Sequence, residues 1–220
     1  GDLYPTHGLG PIAKLLNINK GNRFISLVSM SSKSRGLREY VVDQLGTEHP
    51  RMDTVFNQGD ITTTMIKCSN GETVLLTHDC SLPRPYSRAQ RVQGTKGLWM
   101  EDKNALHFND FGDERWEPMS KYFESYEHPI WKDFIDGGVK GGHGGMDWLV
   151  QRAFIDAIKT KKQTPIDVYD SVTWMAVTAL SEDSISCGSL PQPFPDFTNG
   201  KWIQKKPNPN HYWTLDGIFR

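Results

Sequence analysis

Cysteine, net charge and long apolar runs are all scarce in this 220-residue sequence. The three cysteines form no Cys-x-x-Cys pair, which argues against a zinc site or a disulfide framework. The formal net charge is -1 at pH 7, so the chain is a poor candidate for bulk nucleic-acid binding. No apolar run approaches the roughly 18 residues that a membrane span needs. Neither a secretory signal nor an internal repeat is visible. These absences favour a globular domain and leave the cell compartment open.

What is present is a pattern of strands followed by helices. Strands are predicted at residues 23–31, 59–68, 72–79, 88–93, 97–101 and 105–109, and helices at residues 34–45, 147–162 and about 167–186. The pair Asn70-Gly71 predicts a tight hairpin turn, residues 111–129 are predicted to form a loop, and Gly188 ends the last helix. A hairpin-rich sheet with late helices predicts an α+β fold with a large, mainly antiparallel open sheet and helices packed on one face. The uncovered face predicts a homo-oligomer.

The chain length predicts one large domain, or a domain with a long tail. We place the domain at residues 1–200. Residues 201–220 are predicted to be a C-terminal tail, since the chain after Pro191 is rich in proline and asparagine.

The first candidate site is the segment Tyr4-Pro5-Thr6-His7-Gly8, where a phenol and an imidazole lie three positions apart. Pro5 holds Tyr4 in an extended conformation, and Pro11 suits the first turn of a helix. A helix is therefore predicted at residues 11–16, with His7 just ahead of its positive end, which favours a neutral imidazole. Such an imidazole can act as a base or as a hydrogen-bond donor. The alternative is a turn histidine beside a core tyrosine.

The second candidate is the run Gly-Gly-His143-Gly-Gly-Met-Asp147. Its glycines allow positive φ and close approach of a ligand to the backbone, and a spacing of four can place His143 and Asp147 on one helical face. The alternative is a flexible loop followed by an Asp cap. A metal site built from His7, His143, Asp147 and residues 78–80 is a weaker alternative, since no His-Glu-x-x-His type of spacing supports it.

The third candidate is the loop Pro83-Arg84-Pro85-Tyr86-Ser87-Arg88, where a phenol lies beside guanidinium groups. Such an arrangement suits a lowered phenol pKa or the binding of sugar hydroxyls, and the alternative is an ordinary proline-rich loop. Residues 8–13 also match the Gly-x-Gly-x-x-Ala form of the dinucleotide fingerprint. We reject that match because no strand precedes it in a βαβ unit.

Together these motifs, with the Gly-Asp-Ile-Thr-Thr-Thr strand at residues 59–64, resemble the C-terminal domain of Gfo/Idh/MocA-type proteins. Within that superfamily they are most similar to glycoside hydrolase family 109, the NAD-dependent α-N-acetylgalactosaminidases. The resemblance runs from about residue 3 to about residue 200. It implies a parent protein whose N-terminal Rossmann domain, absent from this chain, binds NAD.

The resemblance also implies a reaction by oxidation, elimination, addition and reduction on an N-acetylhexosaminide or similar sugar. Tyr4 and His7 fall on the family's site motif, which implies a catalytic role in proton traffic. Tyr86, Arg84, His143 and Asp147 are assigned to substrate binding, and no metal or cofactor ligand is expected within this chain. The isolated domain is expected to be inactive, because the nicotinamide site lies elsewhere. Family members often carry export signals, so the resemblance is compatible with a periplasmic parent protein. The sequence of this chain does not itself show the compartment.

Two alternative functions stay open from the sequence. One is a sugar or polyol dehydrogenase of the same superfamily, and the other is a non-catalytic dimerisation or sugar-binding module. The expected partners are a carbohydrate substrate, the Rossmann domain and a second copy of the chain, with no nucleic acid and no membrane.

Overall fold

The computed structural model describes residues 1–79, 81–138, 140–208 and 212–216. The helices are α1 (Thr6–Leu15), α2 (Gly36–Tyr40), α3 (Phe123–Tyr126), α4 (Pro129–Asp136), α5 (Met146–Thr160) and α6 (Val168–Ser186). The strands are β1 (Phe24–Ser31), β2 (Ile61–Cys68), β3 (Thr73–Asp79), β4 (Arg91–Gln93), β5 (Gly97–Met100), β6 (Ala105–Phe108), β7 (Glu117–Pro118) and β8 (Gln192–Pro193). A π-helical turn, Val41–Leu45, extends α2.

The chain divides into two units, and each is described by itself. The first unit contains Gly1–Pro83, Ile166–Pro209 and the final segment from Thr214. The second unit contains Arg84–Pro165 and Asn210–Trp213.

The first unit is an antiparallel sheet in the order β3-β2-β1-β8, with helix α6 packed against β1. The strand residues alternate in burial, so that Thr62, Thr64, Ile66 and Cys68 of β2 point into the core and their neighbours point outward. The core beneath that face includes Phe24 and Leu27 of β1 and Val177 of α6. The other face of the sheet is exposed within this unit, because no helix of the unit covers the outward residues that the structure describes.

Helix α1 begins at Thr6, five residues earlier than the predicted start at residue 11, and the prediction of its bounds was wrong. Pro5 occupies the N-cap position, and Gly8 and Gly10 lie inside the helix. Gly10 has a packing reason to be there: a Cβ at this position would lie 3.3 Å from the ring of Trp174 on α6. Glycine at this position therefore permits close packing between the two helices.

The second unit contains an antiparallel sheet in the order β4-β5-β6-β7 and the helices α3 to α5. The stretch 111–129, predicted to be a loop, includes the short elements β7 and α3. Helix α4 was not predicted. His128 caps it, since its Nδ1 accepts a hydrogen bond of 3.1 Å from the N–H of Ile130, and Pro129 fills the first turn.

Helices α5 and α6 lie within two residues of their predicted bounds. A capping box starts α6, in which the Asp167 side chain accepts from the Asp170 N–H at 2.9 Å and the Asp170 side chain accepts from the Asp167 N–H. The α+β fold class with antiparallel strands and helices is confirmed. The strands divide between two four-stranded sheets instead of forming a single one. Over the described ranges, no helix has the length and apolarity to cross a membrane.

Candidate active site

Tyr4 and His7 lie together at the start of the first unit. Their rings stack with centroids 4.6 Å apart and an angle of 27° between the planes. The Tyr4 hydroxyl lies 3.4 Å from Nε2 of His7, within reach of a weak hydrogen bond. Tyr4 is 60 % exposed, and His7 is also exposed in the first turn of α1. The pair is therefore both mutually oriented and open to a ligand.

Asp2, which was not predicted from the sequence, anchors this segment. Its side chain is almost fully buried, and Oδ1 accepts the N–H of Tyr4 at 3.1 Å while its own N–H donates to Oγ of Ser181 at 2.8 Å. Burial raises the pKa of the Asp2 carboxyl, although the Tyr4 N–H and the charge of His78 act in the opposite direction. The Asp-x-Tyr spacing is typical of an Asx turn and was the available signal.

His143 and Asp147 form a second pair, in the second unit. Nδ1 of His143 lies 2.8 Å from Oδ2 of Asp147, as the four-residue spacing allows. Positive φ values at His143 (49°), Gly144 (62°) and Gly145 (97°) turn the chain into α5. The hydrogen bond that the His143 ring donates to the Asp147 carboxylate, followed by the charge of Asp147, raises the pKa of His143. The contact with Asp147 thus favours the protonated form of His143.

The loop with Arg84 and Tyr86 also belongs to the second unit. Nη1 of Arg84 donates to the carbonyl of Ser87 at 2.9 Å, so this guanidinium shapes its own loop. The Tyr86 hydroxyl accepts from Nε of Arg88 at 3.4 Å, and Tyr86 is 86 % exposed. The phenol of Tyr86 is therefore more exposed than that of Tyr4.

The structure therefore brings together Tyr4 with His7, His143 with Asp147, and Tyr86 with Arg88. The first pair belongs to the first unit and the other groups to the second. Among the described residues, no three His, Cys, Asp or Glu side chains cluster as a metal site would require. Cys80, part of the weaker metal alternative, lies outside the described residues.

Comparison with known proteins first defines the fold. The chain superimposes on levoglucosan dehydrogenase, solved as a complex with NADH and L-sorbose, with a TM-score of 0.57 and 16% sequence identity. The match covers 90% of this chain and 51% of that one. An oxidoreductase domain protein from Kribbella flavida gives a TM-score of 0.52 at 18% identity, covering 87% of this chain and 51% of that one. At these identities the likeness is one of fold, and it extends over about half of each solved chain.

The sequence comparison then defines the family. Residues 1–204 match the family described as Glycosyl hydrolase 109, C-terminal domain. The chain is 51% identical to an alpha-N-acetylgalactosaminidase of Tannerella forsythia over 94% of this chain and 44% of that protein. It is 52% identical to a glycosyl hydrolase family 109 protein of Stenotrophomonas maltophilia over 94% and 46%. The chain belongs to glycoside hydrolase family 109 and spans less than half the length of these two relatives.

Proposed function

We propose that this chain is the substrate-binding C-terminal domain of an NAD-dependent glycosidase. The parent would act by oxidation, elimination, addition and reduction on an N-acetylhexosaminide or a similar sugar. The observation that carries this proposal is the stacked and exposed Tyr4–His7 pair. The substrate class is suggested by the relative from Tannerella forsythia, whose name states alpha-N-acetylgalactosaminidase activity.

The residues of this chain do not fit the binding of the dinucleotide itself. The Gly8-x-Gly10 fingerprint lies inside α1, whereas a pyrophosphate site needs the turn between a strand and a helix. We therefore assign NAD binding to a Rossmann domain outside this chain. NAD bound there would supply a hydride acceptor and donor.

The contribution of this chain is proton transfer and orientation of the sugar. His7 is proposed to take a proton from the sugar hydroxyl that is oxidised, and the Tyr4 hydroxyl, within hydrogen-bond reach of Nε2, is proposed to share that proton. This chemistry needs no pair of carboxylates flanking the glycosidic bond, unlike most glycosidases.

Four further residues are proposed to contact the substrate. Tyr86 and Arg84 present a phenol and a guanidinium on one loop, while His143 and Asp147 present a hydrogen-bonded pair before α5. The raised pKa of His143 favours a donor to a sugar oxygen.

The open face of the first unit's sheet is proposed to form a contact between two copies of the chain. Three of its side chains are large and apolar and stay exposed within the unit: Met30 at 65%, Met65 at 52% and Leu75 at 65%. Met65 and Leu75 pair across β2 and β3 on this face. An apolar sheet face of this kind commonly marks an interface.

Turnover by the full-length protein tests the catalytic role. With a nitrophenyl α-N-acetylgalactosaminide, His7→Ala is expected to lower kcat about 10²–10⁴-fold, the range of a lost general acid or base. Tyr4→Phe should show a smaller loss of the same kind, and Tyr40→Phe, a matched exposed tyrosine, should leave turnover unchanged. Turnover of His7→Ala within a few fold of wild type would support a non-catalytic sugar-binding module instead.

The same assay separates hydrolase from dehydrogenase. Without added NAD, a glycosidase of the proposed type releases nitrophenol with no net formation of NADH. Steady release of NADH with intact glycoside would instead identify a sugar dehydrogenase. The isolated 220-residue chain is expected to show neither of these activities. It is also expected not to bind NAD measurably.

A further inference from the structure

A cavity of about 380 Å³ lies within the second unit, between α4, α5 and the Tyr212–Trp213 segment. Cavities of this size are within the range that binds small molecules. Its walls include none of the residues proposed above for catalysis or substrate contact.

Aromatic rings form one part of the cavity wall. Trp148 stacks on Phe134, with centroids 5.5 Å apart and an angle of 27° between the planes, and it stays 37% exposed. Trp213 contributes a second indole, which is 8% exposed. Flat indole surfaces of this kind pack well against the C–H faces of pyranose rings.

Two carboxylates with fixed positions form the polar part. Oδ2 of Asp133 accepts from the Tyr212 hydroxyl at 3.0 Å. Oδ2 of Asp156 accepts from Nε1 of Trp213 at 3.1 Å and from Nε of Arg152 at 3.3 Å. Each carboxylate thus uses one oxygen to hold its neighbour. Among the described residues, neither Oδ1 atom nor the terminal amino groups of Arg152 make a side-chain hydrogen bond, so acceptors and donors both remain for a ligand.

The charges around the cavity balance. Asp133 and Asp156 are offset by Arg152 and by Lys140, whose Nζ lies 5.9 Å from the centre of the Trp148 ring. A strongly anionic or cationic ligand gains little from such a site. A neutral molecule with many hydroxyl groups can use the acceptors, the donors and the indole faces together.

We propose that this cavity binds a neutral sugar residue. The inference goes beyond the proposed glycosidase reaction and does not depend on it. The indoles of Trp148 and Trp213 contact the ring, and the free oxygens of the two carboxylates accept from its hydroxyls.

The test is a titration of the 220-residue chain with N-acetyl-D-galactosamine, followed through tryptophan fluorescence and the indole Nε1–H signals in NMR spectra. We expect saturable shifts of the Trp148 and Trp213 signals. Trp148→Ala should weaken binding about tenfold or more, as for a central aromatic contact. Phe154→Ala removes another exposed aromatic of α5 that does not line the cavity, and it should leave binding unchanged. D-galactosamine and D-galacturonate should bind more weakly than the neutral sugar.

Two further variants keep the test independent of folding and of catalysis. Asp133→Asn changes only the charge and one acceptor at an exposed position, and it should weaken binding severalfold with an unchanged circular dichroism spectrum. His7→Ala should bind the sugar at this cavity like wild type, even if it abolishes turnover by the full-length protein.

The proposal is overturned if no indole signal shifts at about 100 mM sugar, where a site with a Kd of about 1 mM would be saturated. It is also overturned if Trp148→Ala and Asp133→Asn both bind like wild type.

Discussion

Asp2 shows how one buried residue can govern the presentation of an exposed pair. Its Oδ1 holds the N–H of Tyr4, and its backbone is tied to Ser181 of α6. Oδ2 of Asp2 is buried without a hydrogen-bond partner among the described residues. The segment that carries Tyr4 and His7 is thus tied to the core of the first unit.

The pKa of His143 is predicted to depend on Asp147. Because the hydrogen bond and the charge of Asp147 stabilise the imidazolium, Asp147→Asn should lower the pKa of His143 toward its ordinary value of 6.5. The charge of His143 is then lost at a lower pH than in wild type. NMR titration of the His143 ring protons in wild type and variant measures this shift. An unchanged pKa for His143 would show that the contact with Asp147 does not persist in solution.

Gly36 packs closely against the backbone of Ser81. A Cβ at this position would overlap the carbonyl oxygen of Ser81, which is backbone and cannot rotate away. Gly36→Ala should therefore destabilise the first unit by about 1–3 kcal/mol, the usual cost of overpacking. Gly94→Ala is the control, since a Cβ there meets nothing within 4 Å. Urea unfolding compares the two, and equal midpoints for both variants would contradict the prediction.

Among the elements, the C-terminal segment is held by a buried ion cluster of the first unit. Nζ of Lys20 lies 2.5 Å from Asp216, and Nζ of Lys14 lies 2.5 Å from Asp170 and 3.6 Å from Asp216. Burial acts to raise the pKa of Asp216, but the hydrogen bonds from Lys20 and the N–H of Asn208, with the two positive charges, hold it below 3.8. The cluster links α1 and α6 to the last described residues of the chain.

Asp216→Asn should therefore destabilise the first unit by about 3–5 kcal/mol at pH 7, because it leaves the Lys20 ammonium buried without its counter-charge. The depressed pKa sets the sign of the pH dependence. The stabilisation is present above the unfolded pKa and is lost as pH falls through the folded value. The gap in unfolding free energy between wild type and variant should thus shrink below about pH 4.

Urea unfolding at pH 7 and at pH 3 measures this gap. Replacing both Lys20 by Met and Asp216 by Leu is the matched control, since it removes both charges and should recover part of the stability. A single variant within 1 kcal/mol of wild type at pH 7 would show that the pair contributes little.

The exposed face of the first unit's sheet bears on the oligomeric state of the whole molecule. If two copies pair through it, Met65→Lys combined with Leu75→Lys should convert a dimer to a monomer, because the pairing would bury four like charges per interface. Light scattering after size exclusion measures the mass. Val150→Lys, at an exposed position on α5, is the control and should leave the oligomer intact. A monomeric wild type, or an oligomer that survives the double substitution, would exclude this face as the interface.

Much of the fold could be predicted from the sequence, because the responsible signals are local. Asn70-Gly71 turns β2 into β3, alternation marks the buried face of β2, and Asp167 and Asp170 start α6. The site motifs are also local, since Tyr4 with His7 and His143 with Asp147 meet within one helical turn.

The sequence by itself thus determined the fold class, the main strands, the two long helices and the family. Only the tertiary structure decided where long-range contacts prevail over local propensity. Trp174 packs against Gly10 inside α1, Ser181 accepts a hydrogen bond from the buried Asp2, and Asp133 meets Tyr212 across 79 positions of sequence. Local patterns cannot encode such contacts, since they depend on which surfaces the folded chain brings together.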